Sequence, residues 1–149
     1  MSKNSCKGPV HTVIPEGDEY PRKMCMECGY IAYENPKVVC GAICTWEGKI
    51  LICKRAIEPK KGFWTIPAGF LELNESTAQG AIREVREEAC ADIKVTGLIG
   101  IYEIPRISQI YVIHKAEMTG PKYSAGLESE DVMLSSYSDI PITHNIKNI

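Results

Sequence analysis

Net charge is nearly absent from this chain: 17 Lys+Arg stand against 19 Asp+Glu, a formal charge of −2. That argues against a protein gripping nucleic acid through a basic face, though not against a nucleotide ligand. Long apolar runs are absent too. None approaches the roughly 18–20 residues that cross a bilayer, and Met1–Val10 lacks the apolar stretch of a secretory leader. No internal repeat or low-complexity segment occurs. What remains, 149 residues at 44% hydrophobic and 24% charged, excludes a collagen-like or disordered chain and fits one ordinary globular domain.

Cysteine is plentiful: Cys6, Cys25, Cys28, Cys40, Cys44, Cys53 and Cys90. The number is odd and no leader is expected, so a secreted disulfide framework is not. A reducing, cytoplasmic location follows, with some of the thiols available for metal. Cys40 and Cys44 share one face of an expected strand, where free cysteine behaves as a small buried hydrophobe; Cys53 has the same reading.

Residues 1–34 differ from the rest. They are poor in apolar periodicity and rich in Lys, Pro, Gly and Glu, with Cys25-Met26-Glu27-Cys28-Gly29 at their centre. A segment so short needs a staple. Asn35-Pro36 marks a boundary, so residues 35–149 form the main domain. There Val38 to Trp46 and Lys49 to Lys54, joined by Glu47-Gly48, predict a hairpin. Phe63 to Ile66 is a short extended piece stopped by Pro67-Ala68-Gly69. Ser76 and Gln79 fit a capping box, and Ala78, Ala81, Ile82, Val85 and Ala89 recur at helical spacing, predicting a helix over 76–89. Asp92 to Glu103, Gln109 to Met118 and Val132 to Ser138 read as strands, with a loop from Thr119 to Asp131 before the last.

The helix ends on Arg83-Glu84-Val85-Arg86-Glu87-Glu88. Glu84 is three residues from Glu87 and four from Glu88, so the carboxylates line one side, away from the apolar face. They repel one another, and the helix dipole disfavours anions in the last turns. A divalent cation would resolve both conflicts, and oxygen ligands suit Mg²⁺ or Mn²⁺. A solvated acidic face is the alternative.

Written in full, Gly69-x5-Glu75-x7-Arg83-Glu84-Val85-x-Glu87-Glu88 resembles the Nudix box. Further segments follow in order: Ile14-Pro15-Glu16-Gly17-Asp18, Cys25-x2-Cys28-Gly29, Tyr33-x-Asn35-Pro36-Lys37, Lys54-Arg55-Ala56-Ile57-Glu58-Pro59 and Trp64-x-Ile66-Pro67-Ala68-Gly69-Phe70. Together they resemble the Nudix subgroup with an N-terminal zinc ribbon, and within it the plant-type FAD/ADP-ribose pyrophosphatase. The likeness runs from about Cys6 to Pro141. Two departures stand out. Cys90 holds the place where the box has glycine, a helix cap. Only eight residues follow Pro141, where relatives continue into a helix covering the sheet.

The resemblance implies an α/β (α+β) Nudix fold, a mixed sheet sandwiched by helices, with a small zinc-ribbon-like segment ahead of it. It implies Mg²⁺ (or Mn²⁺) on Glu84, Glu87, Glu88 and the Gly69 carbonyl, with Glu75 and Arg83 bracing the helix. The general base stays open among Glu84, Glu128 and Asp131. Arg55 is a candidate for binding phosphate or ribose; Tyr102, Glu103 and Arg106 are further substrate candidates. Cys6, Cys25 and Cys28 match three of four ribbon ligands, Lys3 stands in the fourth place, and His11 could complete a structural Zn²⁺ site. The implied activity is hydrolysis of a nucleoside diphosphate derivative, FAD or ADP-ribose, releasing AMP. NADH, a dinucleoside polyphosphate, an oxidised nucleoside triphosphate, or nucleotide sensing without turnover are the alternatives. The partners implied are a small-molecule nucleotide and a second copy in a homodimer, with no membrane and no nucleic acid.

Overall fold

The computed structural model describes residues 6–141. Lys3 and the eight residues after Pro141 lie outside them. The chain divides into two compact units, Met1–Asn35 and Pro36–Ile149. Among the described residues no helix is long and apolar enough to cross a membrane.

The first unit is a small antiparallel sheet in the order β1 (His11–Val13), β2 (Arg22–Met24), β3 (Ile31–Ala32). With so little apolar material it relies on polar staples. Arg22 donates to Asp18 at 2.9 Å and lies over the rings of Tyr20 and Tyr33, 5.7 and 5.3 Å from their centroids.

The second unit is a mixed sheet. Strands β4 (Lys37–Trp46) and β5 (Lys49–Arg55) form the expected hairpin. Glu47 and Gly48 turn it with positive φ, as such two-residue turns require. Then come β6 (Trp64–Thr65), β7 (Ala68–Phe70), the helix α1 (Thr77–Ala89), β8 (Ile93–Ile104), β9 (Gln109–Met118) and β10 (Ser129–Ser135). The order is β10-β5-β4-β9-β8, with β6 on β5 and β7 on β4. Among the described residues only β4 and β9 run parallel, which makes the sheet mixed.

Three boundaries differ from the sequence reading. The last strand starts three residues early, because a bulge between Ser129 and Asp131 lets the loop's end join β5. Short strands form where residues 1–34 lack periodicity. Pro67-Ala68-Gly69 does not stop the chain: Ala68 to Phe70 pair with β4, Gly69 opposite Cys40. This close approach needs Gly41, whose missing side chain leaves the space Ala68 fills. Non-local pairing here overrides the local turn signal.

The predicted helix forms with its capping box intact. Ser76 Oγ accepts from the Gln79 N–H at 3.2 Å, and Gln79 Oε1 accepts from the Ser76 N–H at 2.7 Å. Ala81, Val85 and Ala89 pack on Ala42, Cys44, Leu51, Cys53, Ala116 and Met118. The thiols of Cys40, Cys44 and Cys53 are buried there as expected. Gly80 permits the helix to lie this close, since Cys40 Sγ occupies the place of any Cβ. The helix covers one face of the sheet. It is the only α-helix among the described residues, so the second helical layer of the expected sandwich is not among them.

Candidate active site

Helix α1 does not leave its carboxylates in solvent. Glu84 and Glu88 are each only 7% exposed, and only Glu87 faces water. The alternative of a solvated acidic face therefore fails for Glu84 and Glu88 and holds for Glu87 alone. The cause is β7, which runs alongside. The Ala68 N–H donates to Glu88 Oε2 at 3.1 Å. Gly69 has no side chain, and the Glu84 carboxyl occupies the space a Cβ would take.

Arg83 organises the cluster. Its Nε and Nη2 grip both oxygens of Glu75, at 3.1 and 2.7 Å, and Nη2 also donates to the Phe70 carbonyl at 2.9 Å. Its Nη1 reaches Glu84 at 2.6 Å and Glu87 at 3.1 Å. The fork geometry of guanidinium makes such bidentate contact possible. Glu75 also takes the Glu72 N–H at 2.7 Å. Arg83 holds the Glu75 carboxyl below its usual range, and Glu75 in turn raises the arginine. So the two residues proposed as braces are joined to each other, to β7 and to two of the three glutamates.

Burial governs the remaining titrations. It raises Glu84 against the opposing pull of Arg83. Glu88 is pushed up to about 7, first by burial and then by the charges of Glu84 and Glu128, against the Ala68 N–H and Arg55. Two buried acids side by side, with oxygen donors only, form a set that a hard divalent cation fits. Arg83 Nη1 stands between Glu84 and Glu87, so the carboxylates are not drawn together as tightly as the ribbon thiols described below.

The β9–β10 loop closes over the end of α1. Ser124 and Gly126 donate to the carbonyls of Ala89 and Glu88, at 2.9 and 3.0 Å. Gly126 lies so close to the Glu87 carbonyl that a Cβ would overlap it. The loop thus carries Glu128 to where its charge bears on both buried glutamates. The Glu128 carbonyl accepts from Ala56 at 2.9 Å, beside Arg55. Arg55 donates from Nε to the Pro59 carbonyl at 2.8 Å, and its charge favours ionised Glu88.

Other candidates are not gathered here. The Asp131 carboxylate accepts from its neighbour Val132 at 2.8 Å, and Glu130 pairs with Lys54 at 3.4 Å. Glu103 is exposed on the edge strand β8 opposite Ile110, two strands from β4, and Tyr102 and Arg106 are likewise exposed. The sequence reading missed Ala68, Ser124 and Gly126. The first two act through backbone N–H groups, which any residue but proline has. Gly126 carried a signal, as a glycine just before the acidic end of the loop.

In the N-terminal unit the sulfurs of Cys6, Cys25 and Cys28 lie within 4.8 Å of one another. Cys6 is 2.9 Å from Cys25 and 3.4 Å from Cys28. The Cys25 thiol is lowered to about 7, chiefly by the bond from Cys6 and then by the N–H groups of Cys28 and Glu27. His11, on β1, is exposed and does not belong to the group.

Comparison with known proteins agrees with this geometry. Residues 34–134 match the NUDIX domain family, and residues 4–34 match the Nudix N-terminal zinc ribbon. The chain therefore belongs to the NUDIX family and is one of its hydrolases. It is 29% identical over 116 residues to an ADP-ribose pyrophosphatase of Methanocaldococcus jannaschii, spanning 75% of this chain and 69% of that protein. A NUDIX hydrolase from Nitrosomonas europaea superposes with a TM-score of 0.87 at 46% identity, over 93% of this chain and 78% of the other. A bifunctional NMN adenylyltransferase/ADP ribose pyrophosphatase from Francisella tularensis, complexed with AMP and Mn ion, gives 0.59 at 26% identity, over 78% of this chain and 37% of that one.

Proposed function

We propose that this hydrolase cleaves the diphosphate of a nucleoside diphosphate derivative, ADP-ribose or FAD, releasing AMP with ribose 5-phosphate or FMN. The observation that carries the reading is the pair of buried carboxylates, Glu84 and Glu88, held against β7 beside the solvent-facing Glu87. The resemblance to ADP-ribose pyrophosphatases supports this substrate class.

Glu84, Glu87, Glu88 and the Gly69 carbonyl would hold Mg²⁺ or Mn²⁺. A bound divalent ion neutralises the diphosphate and acidifies water at the site. Arg83 and Glu75 fix the carboxylates in place, and the bond from Arg83 to the Phe70 carbonyl locks the helix to β7. Arg55, with Nε engaged by Pro59, presents its terminal nitrogens for a phosphate. Glu128 is the favoured base. It is exposed on an anchored loop near both buried acids, whereas Glu84 is engaged by Arg83 and Asp131 by its own strand. Water adds its oxygen to phosphorus, the bridging P–O bond breaks, and Glu128 takes the proton.

The rest of the reading is a structural Zn²⁺ on the ribbon thiols, a cytoplasmic location supported by the odd cysteine count, and a homodimer. The outer edge of β8, where Leu98, Ile99 and Ile101 are exposed, is the candidate dimer surface. Sedimentation at micromolar concentration tests it, and a monomer removes it.

The activity is tested with Mg²⁺ and a panel of ADP-ribose, FAD, NADH and an oxidised nucleoside triphosphate, with Glu88→Gln as control. AMP from ADP-ribose or FAD, reduced at least about 10²-fold in the variant, is expected. Turnover of the triphosphate alone keeps the hydrolase and overturns the substrate. Equal turnover by the variant overturns the site.

A further inference from the structure

A closed structural zinc site has four protein ligands, and the N-terminal unit offers three. Zinc–sulfur bonds of about 2.3 Å in a tetrahedron set sulfurs about 3.8 Å apart. The sulfur separations of 2.9 and 3.4 Å from Cys6 need only a slight opening to reach that. The donor set therefore fits zinc. Among the described residues no fourth Cys, His, Asp or Glu joins the group. Residues 1–5 read Met-Ser-Lys-Asn-Ser and contain none of these types; of residues 142–149 only His144 is one, and it belongs to the second unit. Cys25 is buried, but Cys6 and Cys28 are exposed, so the group opens toward solvent.

We propose that the N-terminal unit holds zinc through three protein thiolates and keeps a fourth, exchangeable position that takes a small thiol from solution. Thiolate is a better donor than water for this ion. The exchange is a simple substitution: the incoming thiol gives its proton to buffer, its sulfur takes the fourth position, and one solvent molecule leaves. Nothing is oxidised or reduced. The missing ligand has a definite place in the chain. Cys25 precedes Cys28 by three residues, and Lys3 precedes Cys6 by the same interval.

The test uses the full chain, metal-free under a phosphine reductant, with Co²⁺ alone as the spectroscopic probe. Wild type should show sulfur-to-cobalt absorption of three thiolates, rising by about one third when excess 2-mercaptoethanol supplies a fourth. Lys3→Cys should start at the higher intensity, ignore added thiol, and hold Zn²⁺ at least tenfold more tightly against a chelator. His11→Ala should leave the wild-type spectrum and affinity unchanged. The proposal is overturned by a wild-type spectrum indifferent to added thiol, by absence of the sulfur-to-cobalt band, or by a tenfold loss of affinity in His11→Ala. Should Lys3→Cys misfold, the wild-type titration with thiol decides alone.

Discussion

Cys90 shows what a single residue can cost. It ends α1 in the left-handed conformation, φ 47 and ψ 33, with its N–H on the Arg86 carbonyl at 3.1 Å. A non-glycine residue there costs roughly 1–2 kcal/mol, partly offset because glycine loses more backbone freedom on folding, about 0.5–1 kcal/mol. Cys90 is exposed, so no packing is lost on replacement. Cys90→Gly should therefore raise stability by about 0.5–1 kcal/mol in urea unfolding; an unchanged or lower midpoint would contradict the strain.

Glu88 carries the opposite tension. Its folded value of about 7 lies above the ordinary carboxylate range, so the folded state binds the proton more tightly than the unfolded state. In metal-free protein its contribution is favourable below about pH 4.5 and is lost as pH rises toward about 7, by at most about 3 kcal/mol. Glu75, held low by Arg83, has the reverse sign: its contribution is present above the ordinary range and lost on acidification. Metal-free Glu88→Gln should melt above wild type at pH 8 and converge with it near pH 4.5. Parallel melting curves at all pH values would refute this.

Between neighbouring elements, the decisive contact is β7 against α1. Gly69→Ala should place a methyl group in the space of the Glu84 carboxyl. An error of about 1 Å in a catalytic group can cost about 10²-fold in rate, so kcat should fall by that order with the far-ultraviolet spectrum retained. Wild-type kcat would mean the close approach is unimportant. The same contact marks the limit of reading by pattern. The helix, its capping box and β9 are legible because their signals are local: a 3.6-residue period, a Ser-x-x-Gln pair, a β-branched run. Strand β7 is not, because its pairing is licensed by Gly41, some thirty residues away. The burial of Glu84 and Glu88 is hidden for that reason, and the grip of Ser124 and Gly126 on the helix end because it uses backbone groups.

For the molecule as a whole, the two units rest on different physics. The second has an apolar core, whereas the first has short strands, one arginine stack and three thiols. With zinc on its thiols as proposed, stability of the first should follow that metal. Chelation of zinc should abolish amide-exchange protection at Lys23 and Met24 while residues of β4 and β9 keep theirs. Protection retained in both units after complete zinc removal would show the small sheet to be self-sufficient.

The anchoring of α1 also sets an order of events in time. Its first turn closes on itself through Ser76 and Gln79, neighbours in the chain. Its last carbonyls wait for Ser124 and Gly126, which arrive only when β8 and β9 have been laid down. Short loops close early and long ones late. In stopped-flow experiments Ser76→Ala should chiefly slow refolding. Ser124→Pro, lacking the N–H, should chiefly hasten unfolding; the reverse pattern would invert the order. The helix that gathers the carboxylates would then be begun by its own sequence and finished by the strand pair that follows it.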